Sequence, residues 1–226
     1  MNTLMKKKNE SSEQLNIQLF LLCMLAALLC RRLGKISSLR IICGMLRTMI
    51  YVGVYIGWGI SIYKRVIQKS VRNVLIFIAE LIIFWFVVRT TKYFFTMDNQ
   101  IARYLWYSYY IPMLFIPVAV LQAAFFLGKS EEYRLPKWLK GVYIPTAVLV
   151  LLVLSNDLHQ LVFSFPVGSA WSDSHYTYGW GYYVVLVWEV VCALTAFVLM
   201  IYKCRHSQKK KYLPLLGIGA AIQCFS

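Results

Sequence analysis

Tyr182–Tyr202 reads YYVVLVWEVVCALTAFVLMIY, a run whose one charged residue is Glu189. About 20 consecutive, mostly apolar residues cross the hydrocarbon core of a bilayer. A helix on the surface of a soluble domain carries one apolar stripe, whereas this run is apolar all round. The pattern recurs at Ile41–Tyr63, Val74–Val88, Tyr104–Leu127 and Trp138–Ser155. Composition agrees: 60% of residues are hydrophobic, 16% aromatic and 15% charged, where a soluble domain has about 25% charged residues. The runs predict an all-α integral membrane protein, a polytopic bundle of about 6–7 transmembrane helices.

Two further runs lie at the ends. Leu15–Cys30 follows Lys6, Lys7 and Lys8, an order that resembles a signal peptide. Leu28, Leu29 and Cys30 before Arg31 make a poor cleavage site, so an extra helix or uncleaved anchor is expected. Residues 1–40 therefore stand apart from a membrane domain over 41–226. Tyr212–Ser226 is apolar to its last residues and reads as a helix cut short.

The formal net charge is +15. Its distribution orients the helices. Lys64, Arg65, Lys69 and Arg72 follow the first clear span; Lys129, Arg134, Lys137 and Lys140 follow the third; Lys203, Arg205, Lys209, Lys210 and Lys211 follow the fifth. The alternate side has Arg89, Lys92 and Arg103, and the loop Ser155–Gly181 has no Lys or Arg. The positive-inside rule puts loops 64–72, 128–140 and 203–211 in the cytoplasm and loop 155–181 outside. Arg31, Arg32, Lys35 and Arg40 then fall on the outer side, against the rule. The implied partner is the lipid bilayer. Nucleic acid is excluded, because the basic residues flank apolar runs in short loops and form no face interleaved with stacking aromatics.

Cys23, Cys30, Cys43, Cys192, Cys204 and Cys224 form no C-x-x-C pair and mostly lie in apolar runs, as small buried hydrophobes do. No G-x-S-x-G, H-E-x-x-H or Walker loop is present. The sequence thus points to no catalytic residue, no cofactor and no metal ion.

Ionisable groups inside a span are costly and mark candidate sites. Arg47, Glu80 and Glu189 qualify. Counted from the ends of the apolar runs, Arg47 lies about 9 Å deep and the two carboxylates about 12–14 Å. Similar depths predict pairing of Arg47 with one or both, either as a packing device or as part of a ligand pocket. Pro112 and Pro117 share one span; each removes a backbone donor and should kink its helix.

The outward loop reads SNDLHQLVFSFPVGSAWSDSHYTYGWG. Asn156, Asp157 and His159 sit where a helix ends, and Asp173 and His175 lie near re-entry. The D-x-H repeat matches no zinc signature, so His159 bonding backbone at a helix end outweighs a metal site. Trp171, Tyr176, Tyr178 and Trp180 supply flat rings that could line a pocket for an apolar ligand or form an interfacial belt.

Several segments carry a family resemblance. They are LRTMIYVGVYIGWGISIYKRV (Leu46–Val66), FWFVVRTTKYFF, RYLWYSYYIPMLFIPVAVL, LPKWLKGVYIPTAVLVLLVLSNDLHQLVF and YTYGWGYYVVLVW. Together they resemble the N-terminal seven-helix membrane region of bacterial sensor histidine kinases, in the version found in Firmicutes. A helix that opens on Leu135-Pro136 and closes on Ser155-Asn156-Asp157-Leu158-His159 is the most telling part. The family ends its fourth helix on a similar L/T-N-x-x-H. Over residues 41–226, the resemblance implies that Ile41–Tyr63 is the first family helix and Tyr212–Ser226 begins the sixth. It implies a bacterial plasma-membrane sensor whose full-length parent is a protein histidine kinase in a two-component system. The seventh helix, the phospho-accepting histidine and the ATP-binding domain are not in this sequence, so the chain alone is not an enzyme.

The expected function is a membrane-embedded signal-input domain that detects an unidentified small-molecule or physical signal at the outer half of the bundle, with a homodimer as a further expectation. The alternative is a small secondary transporter or channel component, which intramembrane charge and proline-broken helices suit, or a non-catalytic membrane scaffold. No internal repeat supports the transporter.

Overall fold

The computed structural model describes residues 2–36, 39–94, 99–130, 132–166 and 175–206. In chain order the elements are α1 (Asn2–Leu33), α2 (Arg40–Arg65), α3 (Lys69–Phe94), α4 (Asn99–Tyr107), α5 (Tyr110–Phe126), α6 (Lys137–Gly141), α7 (Tyr143–Leu154), α8 (Asn156–His159), β1 (Phe163–Ser164), β2 (Thr177–Tyr178) and α9 (Trp180–His206). Five segments are long and apolar enough to cross a membrane: Arg40–Arg65, Lys69–Lys92, Gln100–Phe126, Lys137–Leu154 and Trp180–Lys203. They coincide with the five clear hydrophobic runs. The protein is therefore an all-α membrane protein. The Leu15–Cys30 run lies within α1, which packs on α2. The Tyr212–Ser226 run lies outside the described residues.

Proline explains where the spanning helices break. Pro112 cannot donate to the carbonyl four residues earlier, at Ser108. The chain tightens there into shorter-range bonds, Tyr109 N to Trp106 O at 3.1 Å and Ile111 N to Ser108 O at 3.2 Å, and separates α4 from α5. Pro145 stands in the same relation to Gly141, at the break between α6 and α7. Pro117 lies inside α5 without interrupting it.

The helices pack in sequence, α1 on α2, α2 on α3, α3 on α5, and α5 on both α7 and α9. One apolar cluster joins α2, α3 and α5 through Ile62, Leu75, Ile78, Ile82 and Ala119. A second joins α5, α6 and α9 through Leu121, Ala124, Leu139, Ala196 and Met200. With lipid as the surrounding solvent, such contacts stabilise by close packing more than by removal of surface from water.

The buried polar groups are paired across helices. Tyr143 Oη donates to Gln122 Oε1 at 3.1 Å, and Trp188 Nε1 donates to Thr146 Oγ1 at 3.1 Å. Thr146 Oγ1 donates to Val142 O, so one chain of bonds runs from α9 to α7.

Opposite ends of the bundle are distinguished by their connections. Gln68 Nε2 donates to Ser130 O at 3.1 Å, which puts the α2–α3 and α5–α6 turns at one end. Lys203 reaches that end from α9. Its Nζ donates to Ala124 O at 2.9 Å, Phe125 O at 2.7 Å and Leu127 O at 3.0 Å. The last carbonyls of a helix have no partners within it and carry the negative end of its dipole. A lysine there satisfies three of them at once. The opposite end holds the β1–β2 hairpin.

Candidate functional site at the hairpin end

α7 ends at Leu154, and one further turn, α8, carries Asn156, Asp157 and His159. Gln160 then takes a left-handed conformation at φ 50°, and its N–H bonds Asn156 O at 2.7 Å. This reversal sends the chain back as β1. Phe163 pairs with Tyr178 and Ser164 with Thr177 across an antiparallel hairpin. A ladder of two residue pairs is marginal alone. Side chains from three spanning segments hold it in place.

Asn156 is the centre of that arrangement and is 0% exposed. A side-chain amide has two N–H donors and two lone pairs on its oxygen. All four are used: Nδ2 donates to Phe163 O at 2.8 Å and to Tyr107 Oη at 3.1 Å, and Oδ1 accepts from Val162 N and Phe163 N, each at 3.0 Å. Tyr107 Oη in turn donates to Asp157 Oδ1 at 2.7 Å. The other carboxylate oxygen, Oδ2, meets Arg103 Nη2 at 2.8 Å. This ion pair is partly exposed, and the Arg103 guanidinium also lies 5.7 Å from the Phe165 ring. The network therefore joins α4, α8 and β1.

His159 faces the backbone. Its Nδ1 accepts from Leu161 N at 3.0 Å, which leaves the proton on Nε2, 3.1 Å from Leu152 O and 3.2 Å from Ser155 Oγ. The ring thus serves one orphan carbonyl of α7 and one N–H beyond the turn. The side chain has no open nitrogen for a metal ion. Among the described residues no group of three metal-ligating side chains gathers.

A fully buried ring, Phe163, fills the space beneath the hairpin. Its centroid lies 4.6 Å from that of Trp106, 5.4 Å from Tyr176, 5.7 Å from Tyr110 and 6.0 Å from Tyr182. Tyr178 stacks on Tyr182 at 4.1 Å. The flat rings of YTYGWGYY thus pack on one another and on Phe163. Trp180 is exposed at the first turn of α9, and Trp171 and Asp173 lie outside the described residues.

The two glycines of this tract have a steric purpose. Gly179 N donates to Val162 O at 2.9 Å and Gly181 N to Leu161 O at 3.0 Å, so the start of α9 runs against the Leu161–Val162 backbone. A Cβ at Gly179 would stand 2.1 Å from Leu161 O, and one at Gly181 3.0 Å from the same atom. Only glycine fits at 179 without displacing main chain. Through these contacts α9 is attached to the same turn that Asn156 grips.

The charged residues of the membrane interior are placed differently. α2 and α3 are antiparallel neighbours, with Thr48 hydrogen-bonded to Thr90 and the Tyr51 ring 4.8 Å from Phe86. Arg47 is thus level with Thr91, eleven residues from Glu80 along α3, or about 16 Å. The expected pairing with Glu80 fails for that reason. α3 extends from Lys69 to Phe94, well past the Val74–Val88 run from which depth was counted. Arg47 is half-buried, Glu80 exposed, and Glu189 half-buried on α9, a helix that packs on α5. Among the described residues, no ion pair links the three.

Sequence reading placed Asn156, Asp157 and His159 at the helix end but missed two partners. Arg103 enters there only as a loop charge, and Tyr107 is not singled out. Their spacing on one helix, i and i+4, put them on one face. Nothing local connected them to a site some fifty residues away.

A family model described as the N-terminal 7TM region of histidine kinase matches residues 41–226. No curated protein and no solved structure matches the chain.

Proposed function

The chain belongs to the family of N-terminal 7TM regions of histidine kinases, and on that footing we propose that it is a signal-input domain whose receiving end is the hairpin. The carrying observation is the attachment of one short turn to three spanning segments. Asn156 bonds both β1 and Tyr107 of α4, Asp157 bonds Tyr107 and Arg103, and Gly179 and Gly181 bring α9 onto Leu161 and Val162. A molecule or force acting on the hairpin therefore acts on the Gln100–Phe126 segment, the end of α7 and the start of α9 together.

The output in this reading is a change in helix packing. It requires two arrangements that the signal distinguishes by affinity. α9 is the natural carrier, since its first turn lies on the hairpin and its last, through Lys203, on the C-terminus of α5. The charge pattern supports a hairpin that faces outward and a Lys203 end that faces the cytoplasm of a bacterial cell. Arg103, Tyr107, Asn156 and Asp157 are positioning residues. Arg47 and Glu189 sit deeper, where a packing change would alter their surroundings.

The test joins the chain, through a seventh helix, to a histidine-kinase core and measures autophosphorylation in membrane vesicles. Asn156→Ala should shift basal activity at least several-fold, while Leu158→Ala, at a side chain 88% exposed, leaves it within twofold. Equal activity of the Asn156→Ala and unaltered receptors, at matched protein levels, would rule out signal entry through the hairpin. Labelling of His175→Cys by a membrane-impermeant maleimide in intact cells checks the orientation. Labelling only after the cells are opened would reverse it.

A further inference from the structure

Arg31, Arg32, Lys35 and Arg40 stand where the charge rule expects few cations, and the hairpin network uses none of them. The fold gathers them with three more. At the turn between α1 and α2, a Cβ on Gly34 would stand 3.4 Å from Cys43 Cβ. The two helices run antiparallel from that contact. Three residues further in, Arg31 is therefore level with Leu46, next to Arg47. On the other flank of α2, the Thr48–Thr90 hydrogen bond sets Arg47 level with Thr91, two residues from Arg89. Three helices thus each bring an arginine to one depth, within about 5 Å along the bundle. Arg32, Lys35, Arg40 and Lys92 lie nearer the helix ends.

The direction of these residues is set by their neighbours. Cys43 faces α1, and Tyr51, whose ring lies 4.8 Å from that of Phe86, faces α3. At about 100° per residue, Arg40 and Arg47 point within about 20° of each other, between those two directions. They line the groove between α1 and α3. Arg47 and Arg89 are half-buried, and the Arg89 guanidinium lies 5.8 Å from the Trp85 ring centroid. No hydrogen bond or ion pair accompanies Arg47 among the described residues. Acids are far away. α2 has none, the one acid of α3 is Glu80, nine residues from Arg89, and Glu10 and Glu13 stand eighteen or more residues before Arg31 on α1. Asp98 lies outside the described residues. Cations in the last turns of α1 and α3 complement the helix dipoles, which accounts for Arg31, Arg32 and Lys92. It does not account for Arg40 at the first residue of α2, where the dipole disfavours a cation, or for Arg47 inside an apolar run.

We propose that this groove is a headgroup site for an anionic phospholipid, with the phosphodiester held by Arg31, Arg47 and Arg89 and the acyl chains lying against α1 and α2. A guanidinium presents a planar fork of donors that matches phosphate oxygens. A long side chain rooted below a helix end extends upward to the layer where lipid phosphates lie. Basic pockets between spanning helices take lipid headgroups by this chemistry. Leu29, Leu33, Ile36, Ile41, Ile42 and Leu46 flank the cations and are all exposed. A partner that meets both surfaces is amphiphilic, whereas free phosphate would meet only the first.

This site stands or falls independently of the hairpin as the place of signal entry, and no signal or kinase is needed to measure it. The full chain is reconstituted into phosphatidylcholine liposomes that contain a small fraction of a photoreactive lipid. That lipid is phosphatidylglycerol in one arm and phosphatidylcholine in the other, with the same diazirine-bearing acyl chain. After irradiation, peptide mass spectrometry maps the adducts. Phosphatidylglycerol should label the segment Leu28–Leu46 at least about fivefold more than phosphatidylcholine does, as expected for several cations acting on one headgroup. Arg47→Gln with Arg89→Gln should bring the two lipids to equal yield there. Arg47→Lys with Arg89→Lys, which keeps the charge and loses the forks, should retain an intermediate preference. Lys64→Gln with Arg65→Gln, at the opposite end of α2, should leave the preference within about twofold. Helical circular dichroism shows that each variant is folded. Equal labelling of the unaltered chain by the two lipids overturns the proposal without recourse to any variant, and so does a preference that Arg47→Gln with Arg89→Gln leaves intact. Millimolar inorganic phosphate should not displace the lipid. If it abolishes the preference, the groove is a site for free phosphate and the lipid assignment is wrong.

Discussion

The hairpin and the spanning helices away from it treat charge in opposite ways. At the hairpin end Asp157 is held by Arg103 and Tyr107, and every polar atom of Asn156 has a partner. Away from the hairpin, Arg47, Glu80 and Glu189 stand on three helices, Arg47 level with the end of the α3 span and Glu80 at its midpoint, and no ion pair joins them among the described residues. The first arrangement is held within one chain and fixes a geometry, with the buried Arg103 Nε left without a partner among the described residues. The second leaves costly groups unmatched, which is the condition for an outside partner or a change of packing to matter. Fully paired polar groups mark where this fold is rigid; unmatched ones mark where it can respond.

Substitutions can break that contrast, starting at its strongest point. Asn156→Ala strands Val162 N, Phe163 N and Phe163 O in a buried place and leaves Tyr107 Oη only its bond to Asp157. It should cost about 3–5 kcal/mol, since each orphaned group carries a penalty of its own. Loss of amide-exchange protection at Val162 and Phe163 reads it directly. Gly179→Ala drives a methyl into Leu161 O and should cost about 2–3 kcal/mol, whereas Gly181→Ala, with 3.0 Å available, should cost about 1 kcal/mol. Thermal unfolding in detergent measures both, and equal effects would mean that the two close approaches are not distinct.

Smaller effects sharpen the comparison. Lys203→Met removes three bonds from the end of α5 and should cost about 1–2 kcal/mol in the same unfolding measurement. Asp157→Asn keeps an acceptor for Tyr107 but loses the ion pair with Arg103. Because that pair is partly exposed, the loss should be about 1 kcal/mol and should shrink in high salt. Glu189→Gln should fall within about 0.5 kcal/mol, as expected for a group without an ionic partner among the described residues.

The spanning segments were legible because a bilayer demands long apolar runs, and the break before Pro112 because proline lacks an N–H. Asn156 and His159 were legible through their place at a helix end. Arg103 and Tyr107 were not: their role is set by residues that follow after three further helices, α5, α6 and α7, and no periodicity encodes such a distance. The depth estimate for Glu80 failed for a related reason. Helix α3 begins before its apolar run and ends after it, so hydropathy located the segment but not its register against α2.

The most direct measurement uses spin labels at Lys129 and Tyr202, at the end of the bundle far from the hairpin. The chain is held in nanodiscs with its native cysteines replaced. If the hairpin is mechanically attached to α9, Asn156→Ala should displace or broaden the label-to-label distance by about 1–2 Å, the scale of a helix shift. A distance distribution identical to that of the unaltered chain, with the hairpin shown by amide exchange to be released, would contradict the account.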